Sequence, residues 1–206
     1  MAVWATRPRT SDLPFHAGFI QPCQAVLSSK APSGPEWVHE IKHDGYRILA
    51  RREGDLLRLW SRNGRDWSDD LRSIAFAIRR LSVTSVVLDG EAVAHDADGL
   101  PDFFGLRRGE QAARAHLFAF DLLELNGEDL RTLPLIDRKA RLERLLRRAP
   151  GAVTYVEHLD ADGPTMFKHA CQLGLEGIVS KRRRAPYRSG PDPNWLKIKN
   201  ASYARR

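Results

Sequence analysis

Between residues 85 and 95 two carboxylates interrupt a run that is otherwise apolar and β-branched: Val86, Val87 and Leu88 precede Asp89-Gly90-Glu91, and Ala92 and Val93 follow. Such a run reads as a buried strand. Burying two carboxylates is costly unless they are paired, hydrogen-bonded or bound to a cation. The same kind of polar interruption recurs at Glu40-Ile41-Lys42-His43-Asp44-Gly45-Tyr46-Arg47, at Glu176-Gly177-Ile178-Val179-Ser180-Lys181 and at Trp195-Leu196-Lys197-Ile198-Lys199. If a strand runs through the first of these, alternation puts Glu40, Lys42 and Asp44 on one face, and Gly45 permits a bend or a close approach. In the last, Lys197 and Lys199 face one way and Leu196 and Ile198 the other.

The lysines sharpen this pattern. The chain has seven, against 26 arginines, yet Lys42, Lys181, Lys197 and Lys199 all fall inside the interruptions. Lysine can shed its proton near neutral pH and act as a nucleophile, which arginine cannot. Charge is also unevenly spread. The first 175 residues carry 24 basic and 24 acidic side chains, whereas residues 176–206 carry nine basic and two acidic ones and hold the whole net charge of +7. That asymmetry points to an anionic partner, a nucleotide or nucleic acid. Within it, Arg182, Arg183 and Arg184 read as a solvated or DNA-facing run outside the catalytic set.

Residues 1–35 read as an irregular arm rich in Pro, Ser and Gly, residues 36–200 as one domain and residues 201–206 as a tail. Strands are expected at 37–42, 46–52, 56–60, 85–95, 116–125, 153–157, 177–181 and 195–198. Turns are expected at Glu53-Gly54-Asp55, at 96–99 and at Asn126-Gly127. One helix, capped by Ser68 with Asp69 and Asp70 in its first turn, should run through Leu71, Ile74, Ala75, Ile78 and Leu81. A second should span 138–148 with Asp137 as its cap, and a third 165–173, ended by Gly174. Paired strands interspersed with helices predict an α+β fold, with largely antiparallel sheets flanked by helices. No apolar run reaches the roughly 18 residues of a membrane helix, and the first twenty residues lack the apolar segment of a secretory signal. Two cysteines, Cys23 and Cys171, cannot build a disulfide framework. A cytoplasmic, nucleoid-associated monomer is the expectation.

Taken together and in order, these segments resemble the motifs of the covalent nucleotidyltransferase superfamily, which comprises ATP-dependent DNA ligases, RNA ligases and mRNA capping enzymes. Residues 42–45 match its KxDG signature. Ser61-Arg62-Asn63-Gly64, Asp89-Gly90-Glu91, Phe120-Asp121-Leu122-Leu123 and the two lysine-bearing elements match the rest. Tyr46-Arg47 and Asn63-Gly64-Arg65-Asp66-Trp67 are most similar to the adenylation domain of bacterial end-joining DNA ligases. The resemblance implies an ATP-grasp-like nucleotidyltransferase domain. In it Lys42 attacks the α-phosphate of ATP, and the AMP it accepts passes to the 5′-phosphate of a DNA nick. Lys42 must be neutral to attack, and Lys197, Lys199, a divalent cation and partial burial all favour proton loss.

By the same resemblance Glu40 reads the adenine amino group, Arg47 and Glu91 contact the ribose, and Phe120 stacks on the base. Arg62 contacts AMP or the nick's phosphate, and Lys181 joins the nucleotide-binding set. Glu176, with Glu91, holds Mg²⁺ or Mn²⁺, and Asp44 orients Lys42 or the metal. His43, in the variable position of the signature, is read as incidental, and Asp89 as a group bonding backbone amides. The family's ligases also carry an OB-fold domain after the last motif. Only residues 200–206 follow it here, and the start at Met1 favours a naturally minimal protein over a fragment. Nicked duplex DNA is the expected partner, with the basic segment or a separate protein clamping it. An RNA ligase, a capping-type guanylyltransferase and a non-catalytic AMP- or nick-binding module are the alternatives; Glu40 and the SRNG element argue against GTP.

Overall fold

The computed structural model of the chain describes residues 18–97, 101–109, 111–149 and 151–204. In chain order the strands and helices are β1 (Cys23–Leu27), β2 (Trp37–Ile41), β3 (Tyr46–Glu53), β4 (Leu56–Ser61), α1 (Arg72–Arg79), β5 (Ser85–Val93), α2 (Phe103–Arg108), β6 (His116–Leu125), β7 (Glu128–Asp129), α3 (Leu135–Leu146), β8 (Val153–Tyr155), α4 (Gly163–Gln172), β9 (Gly177–Arg182) and β10 (Gly190–Lys199). They form two sheets, one ordered β1-β10-β9-β2 and the other β4-β3-β5-β6-β7, with β8 pairing β6 beside β7. Only β1 with β10 and β6 with β8 run parallel; the other pairs are antiparallel. This is the α+β class that the alternation of strand pairs and helices implied.

The second sheet forms because its strands place apolar side chains on the face that meets α1 and α3. Ile48, Leu59, Leu88, Leu117 and Leu122 are fully buried there, with Ile74 and Ile78 of α1 and Leu142 of α3. A second core holds Val38, Leu49, Val87, Phe120, Leu123 and Trp195, drawn from both sheets, and binds one to the other. Met166 and Ala170 of α4 cover Ile178 and Ile198 of the first sheet. Each fully buried Leu or Ile in these clusters contributes about 1.5–3 kcal/mol relative to exposure.

Local chemistry sets the turns. Asn126 and Gly127 both take positive φ, 51° and 84°, the pairing that a tight hairpin twist demands. Gly54, at φ 55°, closes the two-residue connection between β3 and β4.

Several boundaries differ from expectation, each for a physical reason. β1 lies inside the segment expected to be irregular, because Cys23–Leu27 finds its partner in β10 at the far end of the chain. β2 ends at Ile41, so Lys42 and Asp44 leave the strand instead of continuing its alternation. Ser68 does not cap α1. Its hydroxyl accepts the Leu59 amide and donates to Asp66, and the helix starts four residues later behind Leu71. Asp69 and Asp70 therefore precede the helix. α3 begins at Leu135 directly after Pro134, which puts Asp137 in its first turn rather than at its cap. Asp162 caps α4 by accepting the Thr165 amide at 3.1 Å. β8 stops at Tyr155, and β10 begins five residues before Trp195. The helix α2 was not foreseen. The turn expected at 96–99, residues 1–17 of the arm and the terminal Arg205 and Arg206 lie wholly or partly outside the described residues.

Gly45 lies against the backbone of β5. A Cβ added there would sit 2.1 Å from the carbonyl oxygen of Ala92. Because the obstacle is a backbone atom in a paired strand, Gly45→Ala is expected to shift the signature loop and cost about 1–3 kcal/mol, the range for overpacking. Thermal denaturation of the purified variant measures it.

Candidate active site

The inward side chains of both sheets meet at a cleft of 610 Å³. Glu40, Lys42, His43, Arg47, Arg62, Glu91, Phe120, Lys181 and Lys197 all line it, joined by Cys23 and Trp195. Residues separated by as much as 174 positions in sequence, Cys23 and Lys197, are thus brought to one cleft by the two-sheet arrangement. Of the residues expected at the site, Asp44, Glu176 and Lys199 do not line this space themselves.

Glu176 nevertheless belongs to the same group. Its Oε2 accepts the Lys42 ammonium at 2.5 Å, and Lys199 lies 3.8 Å from its Oε1. Lys42 is 20% exposed and Glu176 6%, so the pair sits at the edge between core and cleft. Lys197, on the same face of β10 as Lys199, has its pKa lowered. Burial is the largest cause, followed by the positive charges of Lys199, Lys42 and Arg62, with Glu176 partly offsetting them. Lys42, Arg62, Lys197 and Lys199, with Glu176 as their nearby carboxylate, make this end of the cleft electropositive, which suits a chain of phosphates.

Glu91 stands opposite Arg47 in the β5–β3 register. Burial pushes its carboxyl up to about 7; Arg47 and Lys42 oppose that shift, and the negative charges of Glu176 and Asp89 reinforce it. A carboxylate held in that range seeks a cation. Glu91 and Glu176 offer hard oxygen donors of the kind Mg²⁺ or Mn²⁺ takes alongside waters and phosphate oxygens. Among the described residues no group of three or more His, Cys, Asp or Glu is placed to hold a metal. A divalent ion at Glu91 and Glu176 would therefore take its other ligands from water and the phosphates of a substrate.

Arg47 is less free than expected. It forms a two-pronged pair with Asp89, at 2.5 and 2.7 Å, and donates to the Cys23 carbonyl at 3.1 Å. Asp89 is fully buried and also accepts the Tyr187 hydroxyl at 2.6 Å. Its carboxylate is therefore held by a guanidinium and a phenol rather than by backbone amides. The Arg47 guanidinium carbon also stands over the Phe120 ring, 4.5 Å from its centre. Phe120 is 9% exposed and lines the cleft, with Lys181 4.3 Å from the same ring. His43 is not idle: its ring stacks on Phe118 at 4.2 Å and 15°, and burial lowers its pKa to about 4. Asp44 is nearly buried and accepts the Tyr203 hydroxyl at 3.3 Å, linking the signature to the residues after β10. Arg62 sits exposed in the loop after β4, at the rim.

Glu40 lies deepest. Lys139 of α3 reaches its Oε1 and Lys181 of β9 its Oε2, each at 2.5 Å. Sequence reasoning passed over Lys139, Tyr187 and the buried Arg138. The scarcity of lysine was a usable signal for Lys139, one of only seven. Nothing local marks Tyr187 or Arg138, whose partners are 98 and 17 residues away.

The profile of the ATP-dependent DNA ligase domain matches residues 20–199. The chain is 38% identical over 185 residues to the multifunctional non-homologous end joining protein LigD of Pseudomonas aeruginosa, covering 88% of this chain and 22% of that protein. It is 33% identical over 206 residues to a probable DNA ligase of Sorangium cellulosum, covering 91% and 39%. The structure of a mycobacterial DNA ligase D complexed with ATP and MES superimposes with a TM-score of 0.75 at 34% identity, covering 86% of this chain and 59% of that one. The chain thus spans about a fifth of the length of the LigD protein it matches. With the matched profile running through both sheets and every strand that lines the cleft, this chain belongs to the ATP-dependent DNA ligase domain family.

Proposed function

We propose that the chain is the adenylating core of an ATP-dependent DNA ligase of the end-joining type. The observation that carries this reading is the grouping of Lys42 with Glu176, Lys197 and Lys199 beside a cleft whose other end holds Glu40 and Phe120. In the first step the neutral Lys42 amine attacks the α-phosphorus of ATP. The Lys42 ammonium first gives a proton to water; an N–P bond then forms, the P–O bond to the departing pyrophosphate breaks, and the second amine proton passes to water. Lys42 donates to Glu176 in the resting arrangement, so attack begins with release of that contact, and Lys199 remains to hold the carboxylate. Lys197 and Lys199 neutralise charge on the transferring phosphoryl group, the main demand of such a reaction. A divalent cation held by Glu91 and Glu176 would supply further positive charge to the phosphates.

Glu40 accepts from the adenine amino group, Phe120 packs against the base, and Arg47 and Glu91 flank the ribose. Arg62 at the rim meets AMP or the 5′-phosphate of the nick. That phosphate then takes the AMP from Lys42, and the 3′-hydroxyl displaces AMP to close the phosphodiester bond. The exposed arginines Arg182, Arg184 and Arg188 meet nicked duplex DNA, and a separate protein supplies further clamping. Among the described residues no helix is long and apolar enough to cross a membrane.

Incubation with α-labelled ATP and Mg²⁺ or Mn²⁺, followed by denaturing electrophoresis, is expected to show a covalent AMP adduct. Addition of a nicked duplex should discharge it and yield sealed product. Absence of any adduct, with the protein folded, overturns the reading. An adduct that no nick discharges would reassign the protein to another acceptor.

A further inference from the structure

Lys139 is fully buried on α3, yet it belongs to none of the elements that carry the family resemblance. A lysine is almost never found without solvent unless something holds its charge. Here three groups do. Its ammonium lies 2.5 Å from Glu40 Oε1, donates to the Val156 carbonyl at 2.9 Å, and stands 4.7 Å from the centre of the Tyr155 ring. Lys181 takes the other oxygen of the same carboxylate while packing on Phe120 and Trp195. Each carboxylate oxygen thus has its own ammonium, one from a helix and one from a strand. Glu40 still lines the cleft.

Pinned at both oxygens, the Glu40 carboxylate cannot rotate, and an ionised carboxylate accepts hydrogen bonds but donates none. We propose that Lys139 is a specificity-determining positioning residue: by fixing Glu40 as an acceptor, it makes the base pocket select a purine with an exocyclic amino group over one with a carbonyl at the same position. The proposal rests on the assignment of Glu40 to the adenine ring made above.

The charged and titratable groups that face Glu40 are Lys139, Lys181, His43, Tyr155 and His158. Burial pushes its carboxyl up, but Lys139 and then Lys181 outweigh that and hold it below the usual carboxylate range. Removal of the Lys139 ammonium leaves burial with a single opponent. The carboxyl then takes up a proton at a higher pH, and its protonated form can donate to a purine carbonyl.

The test compares AMP, IMP and purine riboside monophosphate by calorimetric binding to the full chain, and the matching triphosphates in adduct formation. IMP carries a carbonyl where AMP carries the amino group, and purine riboside has neither. Wild-type protein is expected to prefer AMP by about 10- to 100-fold, the value of one hydrogen bond to a charged group. This preference should be flat between about pH 6 and pH 7: Lys139 and Lys181 hold the Glu40 carboxyl below its usual range, and the Lys181 ammonium, which burial lowers to about 8, keeps its charge there. In Lys139→Met the preference is expected to fall about tenfold, and IMP binding should strengthen as the pH drops. Lys139→Arg should restore most of the discrimination. If the methionine variant does not fold, Lys139→Gln, which can still donate to the Val156 carbonyl, carries the same expectation.

Equal weakening for all three nucleotides, or an unchanged and pH-independent preference, overturns the proposal, since a purely structural lysine would do just that. An intact AMP preference that depends on Lys139, in a protein forming no adduct, would overturn the ligase reading and leave this one standing.

Discussion

Lys42→Ala is expected to abolish the covalent AMP adduct, a loss of at least about 1,000-fold, while leaving the fold nearly untouched. The size of the loss follows from the chemistry. The amine is the group that forms the new bond, and removing a nucleophile leaves nothing for the rest of the site to assist. Stability should hardly change, because the side chain is partly solvated and its one strong contact is to Glu176. Lys199 stays beside that carboxylate at 3.8 Å, so the cost should be about 1 kcal/mol or less, the range of a partly exposed pair. Lys42→Arg separates charge from nucleophilicity: the guanidinium can still pair with Glu176 but does not lose its proton near neutrality. It should melt like wild type and form no adduct. Labelled-ATP gels and thermal melts on the three proteins decide the matter. An adduct on Lys42→Ala would move the nucleophile elsewhere, and Lys197 would be the next amine to test.

What the sequence disclosed and what it withheld divide along physical lines. Polar residues stranded in apolar strands are visible in one dimension because alternation alone exposes the anomaly, and so Asp89, Glu91, Lys181 and Lys197 stood out. The two-sheet meeting that gathers them is consistent with that anomaly, since charge buried in a sheet must find counter-charge across the core. Helix ends were misjudged where two local signals competed. Ser68 is a good cap by type, but its hydroxyl is taken by β4 and Asp66, and Pro134 started α3 earlier than Asp137 suggested. β1 escaped notice because its only partner is 163 residues or more downstream. Arg138 and Lys139 escaped for a similar reason. On a helix rich in arginine they look like surface charge, and only the tertiary fold reveals that both point inward.

Arg138→Met is expected to be the most destabilising single change near the site, at about 3–5 kcal/mol, the cost of leaving a buried charge without its partner. Arg138 and Asp121 are both 0% exposed. The guanidinium makes two bonds of 2.8 Å to the carboxylate and two more, of 2.6 and 3.1 Å, to the carbonyls of Leu133 and Ala185. Methionine fills much of the volume but leaves the Asp121 carboxylate to the backbone amide of Leu122, at 2.9 Å. For a chain of this size each kcal/mol lowers the melting temperature by about 2–4 °C, so the midpoint should drop by about 6–20 °C. The same reasoning predicts a rescue. Arg138→Met combined with Asp121→Leu removes both charges, and replacing a buried pair by apolar residues is often neutral, so the double variant should recover most of the loss. A double variant as unstable as the sum of the single changes would show that the four-bond anchor, and not charge compensation, holds α3 in place. Either outcome bears on catalysis. Arg138 ties the start of α3 to the segment after β9, and the next residue along the helix, Lys139, is the one that reaches Glu40. A loosened α3 should therefore weaken the AMP preference along with the fold, whereas a charge-neutral anchor that keeps the helix seated should leave that preference intact.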